Sequence, residues 1–247
     1  MASFLAIETA TDVCSVAVLK GSQIAIEMVL TQPRAHSENL VPMIQDTLAH
    51  AGVASEELAG IVVSKGPGSY TGLRIGVSAA KGLAFAHQID LIGVPSIEAL
   101  ATNATHYGST GDLIAAAFNS RRNEVYLGLF ETGAQASIKA LGPIASLQQD
   151  EIAPFIASAT SQTKEPHVIV VGEGGPFVAD CLAPLGHIKV SLLPAHIVCP
   201  SASTIATLGA ARHKIGLVDD LGSFEPFYLN EFIPKSRKKS IFDRLPF

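Results

Sequence analysis

Apolar residues along this chain fall into short runs broken by polar turns, and their spacing alternates between strand-like and helix-like. "FLAIETA" (4–10), "VCSVAVL" (13–19) and "IAIEMVL" (24–30) have strand length, with a Lys20-Gly21-Ser22 turn joining the last two. They predict a three-strand meander. In "SENLVPMIQDTLAHAG" (37–52), Leu40, Ile44, Leu48 and Ala51 form one helical stripe, and Gly52 follows as its stop. Pro42 stands early in that helix, where it removes at most one backbone hydrogen bond. "GIVVSKG" (60–66) predicts a strand, the residues after it a helix, and "LIGVP" (91–95) another strand.

The order then repeats. "LIAAAFN" (113–119), "EVYLGLFE" (124–131) and a weaker "ASIKALGPI" (136–144) predict strands, and "SLQQDEIAPFIASAT" (146–160) predicts a helix. "HVIVVG" (167–172), "GGPFVADCLAPL" (174–185) and "IKVSLLP" (188–194) predict strand, helix and strand. "SASTIATLGAARHKIG" (201–216) closes as a helix, with Ser201 or Ser203 as its cap and Gly216 ending it. Two successive units of this kind imply a duplicated α/β domain with mixed sheets and a cleft between the halves. The expected boundaries are 1–106 and 107–216, joined at the polar "THYGSTGD" (105–112), with the last helix packing back on the first half. Residues 217–247 are expected to form a basic tail.

Composition narrows the function. Hydrophobic residues make up 48% of the 247 positions and charged residues 16%, which suits a compact globular protein. A net charge of -5 and the lack of Trp argue against a stand-alone nucleic-acid binder. The exception is the cationic cluster Lys235, Arg237, Lys238 and Lys239, a candidate contact for RNA or another acidic surface that otherwise reads as a solvated end. No secretory pattern precedes Glu8 and no apolar run is long enough for a bilayer, so a cytoplasmic, membrane-free protein is expected. Cys14, Cys181 and Cys199 are widely spaced and expected to be reduced.

"KGPGSYTGLRIGVSAAKGLAFA" (65–86) holds the strongest local signal. Its turn suits a phosphate at a helix N-terminus, yet matches neither the G-x-x-x-x-G-K-[ST] nor the G-x-G-x-x-G fingerprint. A tight strand-to-helix turn explains it better. In the helix, Gly72, Gly76, Ala80 and Ala84 recur every four residues, and Ser78, Gly82 and Ala86 make a second small row. Interior glycines cost about 1 kcal/mol each relative to Ala, so a close neighbour is required, inside the domain or in another chain. "VVGEGGPF" (170–177) facing "AIETAT" (6–11) could frame a nucleotide, with Glu8, Thr9, Thr11, Gly172, Gly174 and Gly175 as candidate contacts. No H-x-x-x-H pair, H-E-x-x-H or G-x-S-x-G elbow occurs. Arg121 and Arg122, in "NSRRNE", are a compact cationic spot that suits either pairing with acids or contact with an anion.

"FLAIETATDVCSVAVL", "HSENLVPMIQDTL", "GPGSYTGLRIGVSAAKGLA", "GVPSIEALA" and "SRRNEVY" together resemble successive motifs of the bacterial TsaB (YeaZ) family. The resemblance is dense from Phe4 to Leu127 and thins afterwards. It implies duplicated ribonuclease H-like βββαβα domains of the acetate and sugar kinase/Hsp70/actin superfamily. It also implies a non-catalytic subunit required with TsaD and the ATPase TsaE for threonylcarbamoyl transfer to N6 of adenosine 37, in tRNAs reading ANN codons. The chain alone is then expected to form a homodimer, to meet tRNA only through the complex, and to carry no intrinsic cofactor, ATP or ADP belonging to the complex. The family pairs the helix after "HSENL" and the one after "GPGSYTG" with a partner's helices in a four-helix bundle. On that basis the expected interface is His36, Leu40, Met43, Ile44, Thr47, Leu48, Leu73, Gly76, Val77, Ala80 and Ala84. Which helix row faces outward stays open.

Two departures bear on chemistry. Where the TsaD branch places two metal-binding imidazoles, this chain has Ser96 and Leu100, and Leu cannot ligate a metal. The first-strand acid, usually Asp, is Glu8, whose extra methylene would displace a carboxylate set for magnesium or water. The competing expectation is an active ATP-dependent phosphotransferase or peptidase of the same superfamily.

Overall fold

The structure, a computed structural model, describes residues 2–120, 123–160 and 165–229. The first half runs β1 (Ser3–Glu8), β2 (Cys14–Lys20), β3 (Gln23–Leu30), α1 (His36–Ala51), β4 (Leu58–Gly66), α2 (Tyr70–His87), β5 (Asp90–Pro95) and α3 (Ser96–Ala104). The second runs β6 (Leu113–Asn119), β7 (Glu124–Thr132), β8 (Ile138–Ala140), β9 (Ala145–Gln148), α4 (Gln149–Thr160), β10 (His167–Val171), α5 (Gly175–Leu182), β11 (Lys189–Leu192) and α6 (Ala202–Lys214).

Both sheets have one topology. The first is ordered β3-β2-β1-β4-β5 and the second β11-β10-β6-β7-β8, with β9 also on β7. In each, the leading strand is antiparallel to the next and parallel to the fourth segment, β1 to β4 and β6 to β10. This is the duplicated ribonuclease H-like arrangement expected from the sequence. One strand departs from expectation: "ASIKALGPI" is not continuous. β8 pairs with Phe130–Thr132 of β7 and β9 with Glu124–Leu127, so the chain leaves the sheet between them. Gly142 and Pro143 occupy that break, and Pro cannot donate to a ladder.

Four apolar clusters stack the layers. Leu40, Ile44 and Leu48 of α1 and Val77, Ala80 and Ala84 of α2 cover one face of the first sheet, on Leu5, Ile7, Val16 and Ile61. α4 and α5 cover the outer face of the second sheet through Ile152, Ile156, Val178 and Leu182. Between the sheets the helices cross over. α6, from the second half, seats Ala202, Ile205 and Ala206 on Phe4, Ala6, Val62 and Ile92 of the first sheet. α3, from the first half, seats Ile97, Leu100 and Ala104 on Ile114, Ala116, Phe118 and Ile169 of the second. Arg212 on α6 clamps the exchange, donating to the Gly93 carbonyl at 2.8 Å and pairing with Glu98 at 2.7 Å.

The expected tail beginning at 217 needs correction. Asp219 bridges to Leu91 and its carboxylate accepts the Gly93 N–H at 2.7 Å. Phe224 is buried in the α1/α2 core, and the Phe227 N–H donates to the Lys65 carbonyl at 2.6 Å. Residues 219–228 are therefore a strap on the first half. The basic residues Lys235, Arg237, Lys238 and Lys239 lie outside the described residues, as do Arg121 and Arg122. Among the described residues no helix is long and apolar enough to cross a membrane.

Candidate functional site

Two places drew functional expectations: the gap between the Gly-rich turns, and the α1/α2 layer. At the gap, β1 delivers Glu8 into the interior, where the side chain is fully buried. One carboxylate oxygen accepts the Ala10 N–H at 2.6 Å, and the other has no hydrogen-bond partner among the described residues. Burial pushes its pKa up to about 7, against the opposing pull of hydrogen bonds from Ala10, Ser64 and Thr9. Thr9 is buried as well, its hydroxyl pressed on α2 and without a hydrogen-bond partner among the described residues. Thr11 is turned back on its own loop, its hydroxyl accepting the Val13 N–H at 3.2 Å.

The glycines of the first turn are explained by this loop. A Cβ on Gly72 would collide with the Thr9 carbonyl oxygen, and one on Gly76 with the Thr9 hydroxyl. The Ser69 N–H donates to the Ala10 carbonyl at 2.6 Å, and the Ser69 hydroxyl caps α2 by accepting the Gly72 N–H at 3.2 Å. The close neighbour demanded by the first small row is thus the chain's own β1 loop.

Across the gap, the Gly174 N–H donates to the Ala117 carbonyl at 3.0 Å and the Gly175 N–H to the Gly172 carbonyl at 2.9 Å. Gly172, at φ +94, abuts the same Ala117 carbonyl. The intervening Glu173 is exposed overall, yet its carboxyl group is tucked against the opposite loop. Partial desolvation and then the Asp12 charge push its pKa up, while the Asp12 N–H donates to it. The structure therefore brings the two turns together and engages the six residues expected to touch a nucleotide within the protein. Glu8, Thr9 and Thr11 are buried, the Gly174 and Gly175 amides are engaged within the protein, and Gly172 faces β6.

The segment compared with the metal-binding stretch of TsaD is also part of the core. The Ser96 hydroxyl accepts the Gly66 N–H at 3.1 Å, and Leu100 is buried between the sheets. Among the described residues no group of three His, Cys, Asp or Glu is arranged to hold a metal ion. These residues do not fit a metal site of the TsaD kind.

The α1/α2 layer resolves the two rows. His36, Leu40, Met43, Ile44, Thr47 and Leu48 on α1, and Leu73, Gly76, Val77, Ala80 and Ala84 on α2, are all buried. As expected partner contacts these residues are corrected: they form the inward faces of both helices. The outward face takes in Ser78 and Gly82 of the second small row, and its large members were missed. On α2 it carries Arg74, Ser78, Gly82 and Phe85, spaced three and four residues apart, and on α1 it carries Val41. Phe85 is 75% exposed and Val41 56%. A Cβ at Gly82 would meet nothing within 4 Å, so no neighbour among the described residues accounts for that glycine. The available signal was phase: Phe85 falls outside the Leu73–Val77–Ala80–Ala84 stripe.

Comparison with known proteins bears on this layout. The family model described as TsaD: tRNA N6-adenosine threonylcarbamoyltransferase matches residues 24–174. The tRNA threonylcarbamoyladenosine biosynthesis protein TsaB of Bacillus subtilis (strain 168) is 38% identical over 129 residues, which is 52% of this chain and 55% of that protein. Its namesake in Escherichia coli (strain K12) is 36% identical over 122 residues, 49% of this chain and 52% of that one. The chain thus spans about half the length of the curated relatives it matches. The structure of YeaZ from Pseudomonas aeruginosa superposes with a TM-score of 0.74 at 28% identity, covering 93% of this chain and all (100%) of that one. Matched by that model over most of its length, by TsaB proteins in sequence and by YeaZ in structure, this chain belongs to the TsaB (YeaZ) family.

Proposed function

We propose that this chain is the non-catalytic partner subunit in tRNA threonylcarbamoyladenosine synthesis, required with TsaD and TsaE for transfer to N6 of adenosine 37. The observation that carries this reading is the fate of the catalytic positions. Ser96 and Leu100 serve the core, and Glu8 is sealed at the end of β1 with no exposed surface. An active phosphotransferase or peptidase has less support, because the turns that would cradle its substrate spend their donors internally. On this reading any ATP or ADP belongs to the assembled complex, and tRNA is met there, in the cytoplasm.

The partner docks on the outward face of α1 and α2, through Val41, Ser78, Gly82 and Phe85, and a second copy occupies that face when the chain is alone. Exposed apolar side chains beside an unfilled glycine suit the close approach of another helix pair. Reconstitution tests the role. The chain with any divalent metal should form no modified tRNA, whereas TsaD and TsaE should need it for product. Modified tRNA made by this chain without TsaD would contradict the reading.

A further inference from the structure

In the second sheet, β10 and its two neighbours bring an acid, an imidazole and a hydroxyl together. Asp112 stands just before β6, His167 opens β10 and Ser191 lies in β11. Ser191 is opposite Ile169 and Ile169 is opposite Ile114, so Ser191 points to the face between the sheets, where both isoleucines pack. His167, two residues before Ile169, shares that face. Its Nε2 lies 2.9 Å from the Ser191 Oγ and its Nδ1 3.0 Å from the Asp112 Oδ2. A carboxylate only accepts, so in the neutral ring it fixes the proton on Nδ1 and leaves Nε2 to accept the Ser191 O–H. The same Asp112 oxygen also accepts the Ser109 N–H at 2.8 Å, which holds the carboxylate in place. Hydroxyl to Nε2 and Nδ1–H to carboxylate is the chain of contacts that activates a serine as a nucleophile.

The three groups are open to solvent: the His167 and Asp112 side chains are 21% and 18% exposed, and Ser191 is half-buried. β11 is the edge strand of its sheet. The Lys189 and Leu193 N–H groups turn inward, donating to the Pro166 and Val170 carbonyls at 2.9 Å. By the alternation of a ladder, the Val190 and Leu192 N–H groups face the open edge, the second of them directly after Ser191. The amide following a nucleophile is a recurrent donor to the oxyanion that forms on its attack. Leu193, half-buried in the cluster that holds Ile169, offers apolar surface to a short acyl chain. A shallow site with donors on one side only suits an ester, whose alkoxide leaves more readily than an amine. Ser191 stands within a strand rather than at an elbow, so a G-x-S-x-G search passes over it.

We propose that Ser191, His167 and Asp112 form a second, independent site that hydrolyses small acyl esters. The Ser191 Oγ bonds to the acyl carbon as its proton passes to His167 Nε2, and the imidazolium returns that proton to the departing alkoxide, which leaves as the alcohol. Water then attacks the acyl-serine, its proton passing through Nε2 to the Ser191 Oγ as the carboxylic acid departs. Ser191 and His167 are the catalytic residues and Asp112 positions the ring. The site lies on the second half, away from α1 and α2, and its test uses the isolated full-length chain, so it stands or fails separately from the scaffold reading. The chain is given para-nitrophenyl acetate, with nitrophenolate release followed by absorbance, and separately diisopropyl fluorophosphate, with the modified residue located by mass spectrometry. Expected are release above that of the heat-denatured chain and a phosphoryl adduct on Ser191. Ser191→Ala, with folding verified by thermal melt, should lose release by about 100-fold or more. Asp112→Asn should slow adduct formation at neutral pH, because the ring then takes the wrong tautomer, and recover at alkaline pH, where hydroxide replaces the imidazole as base. A merely structural Asp112 would give no such pH dependence. The adduct is located on the wild-type chain, so the test holds even if a variant fails to fold. No adduct on Ser191, release no faster than from the denatured chain, or unchanged rates in folded Ser191→Ala or Asp112→Asn would overturn the proposal.

Discussion

Along α2, Gly72, Gly76, Ala80 and Ala84 face the chain's own first strand and sheet, while Arg74, Ser78, Gly82 and Phe85 point away. Both rows are rich in small residues, and the reasons differ. On the inner row small size is forced, since the Thr9 carbonyl and hydroxyl occupy the space a Cβ would need. On the outer row space is open around Gly82, so small size there stabilises no contact among the described residues. The lesson is that a four-residue repeat of glycine and alanine reports close approach without saying to what. Only the phase of the bulky neighbours, Leu73 and Val77 inside and Phe85 outside, separates a core contact from a docking face.

Substitutions can sharpen that contrast. Gly72→Leu or Gly76→Leu should be the most damaging, by about 3 kcal/mol or more, because the obstruction at Thr9 is backbone or a buried side chain. Chemical denaturation measures it, and wild-type stability for either variant would place the row elsewhere.

The loop that the inner row holds has its own signature in pH. Folding raises the pKa of Glu8 from 4.5 to about 7, so between those values the folded state binds more protons than the unfolded one. Its share of stability is fully present below pH 4.5 and is lost as pH rises through about 7, amounting to roughly 3 kcal/mol. Glu8→Gln should lose that much less stability than wild type between pH 4.5 and 8, read from parallel denaturation curves; identical pH slopes would mean that Glu8 is not buried this way.

Smaller effects test the helix itself. Ser69→Ala removes the α2 cap and should cost about 1 kcal/mol. Gly82→Ala should instead stabilise the isolated chain, by up to about 1 kcal/mol, since a methyl group meets nothing there. The same change of Gly to a larger residue then has opposite signs on the two rows.

Much of the fold was legible. The Leu40–Ile44–Leu48 stripe, the Gly52 stop and the Ser201 cap are local rules, and the structure obeys them: Gly52 sits at φ 60 and the Ser201 hydroxyl accepts the Thr204 N–H. The repeated order of elements likewise revealed the duplication. What stayed hidden depends on distant partners. The sequence pointed α6 back to the first half, but the seat of α3 on the second sheet leaves no local mark, because Leu100 would look the same on either face. The 219–228 strap has no periodicity, being held by single contacts such as Phe224 and Asp219. At the site, Glu8 and the glycines were recognisable as unusual, but their purpose was not. A glycine admits a ligand or the chain's own carbonyl equally, and here Thr9 and Ala117 fill the space.

The central claim is that the outward row of α2 docks a partner while the inward row holds the fold. The measurement that bears on it most directly is binding of TsaD by Gly82→Leu and Phe85→Ala, with thermal melts as the control for folding. The account predicts melting temperatures close to wild type, together with joint loss of TsaD capture and of self-association by light scattering. If both variants fold and still bind TsaD with unchanged affinity, the docking face lies elsewhere and the claim is wrong.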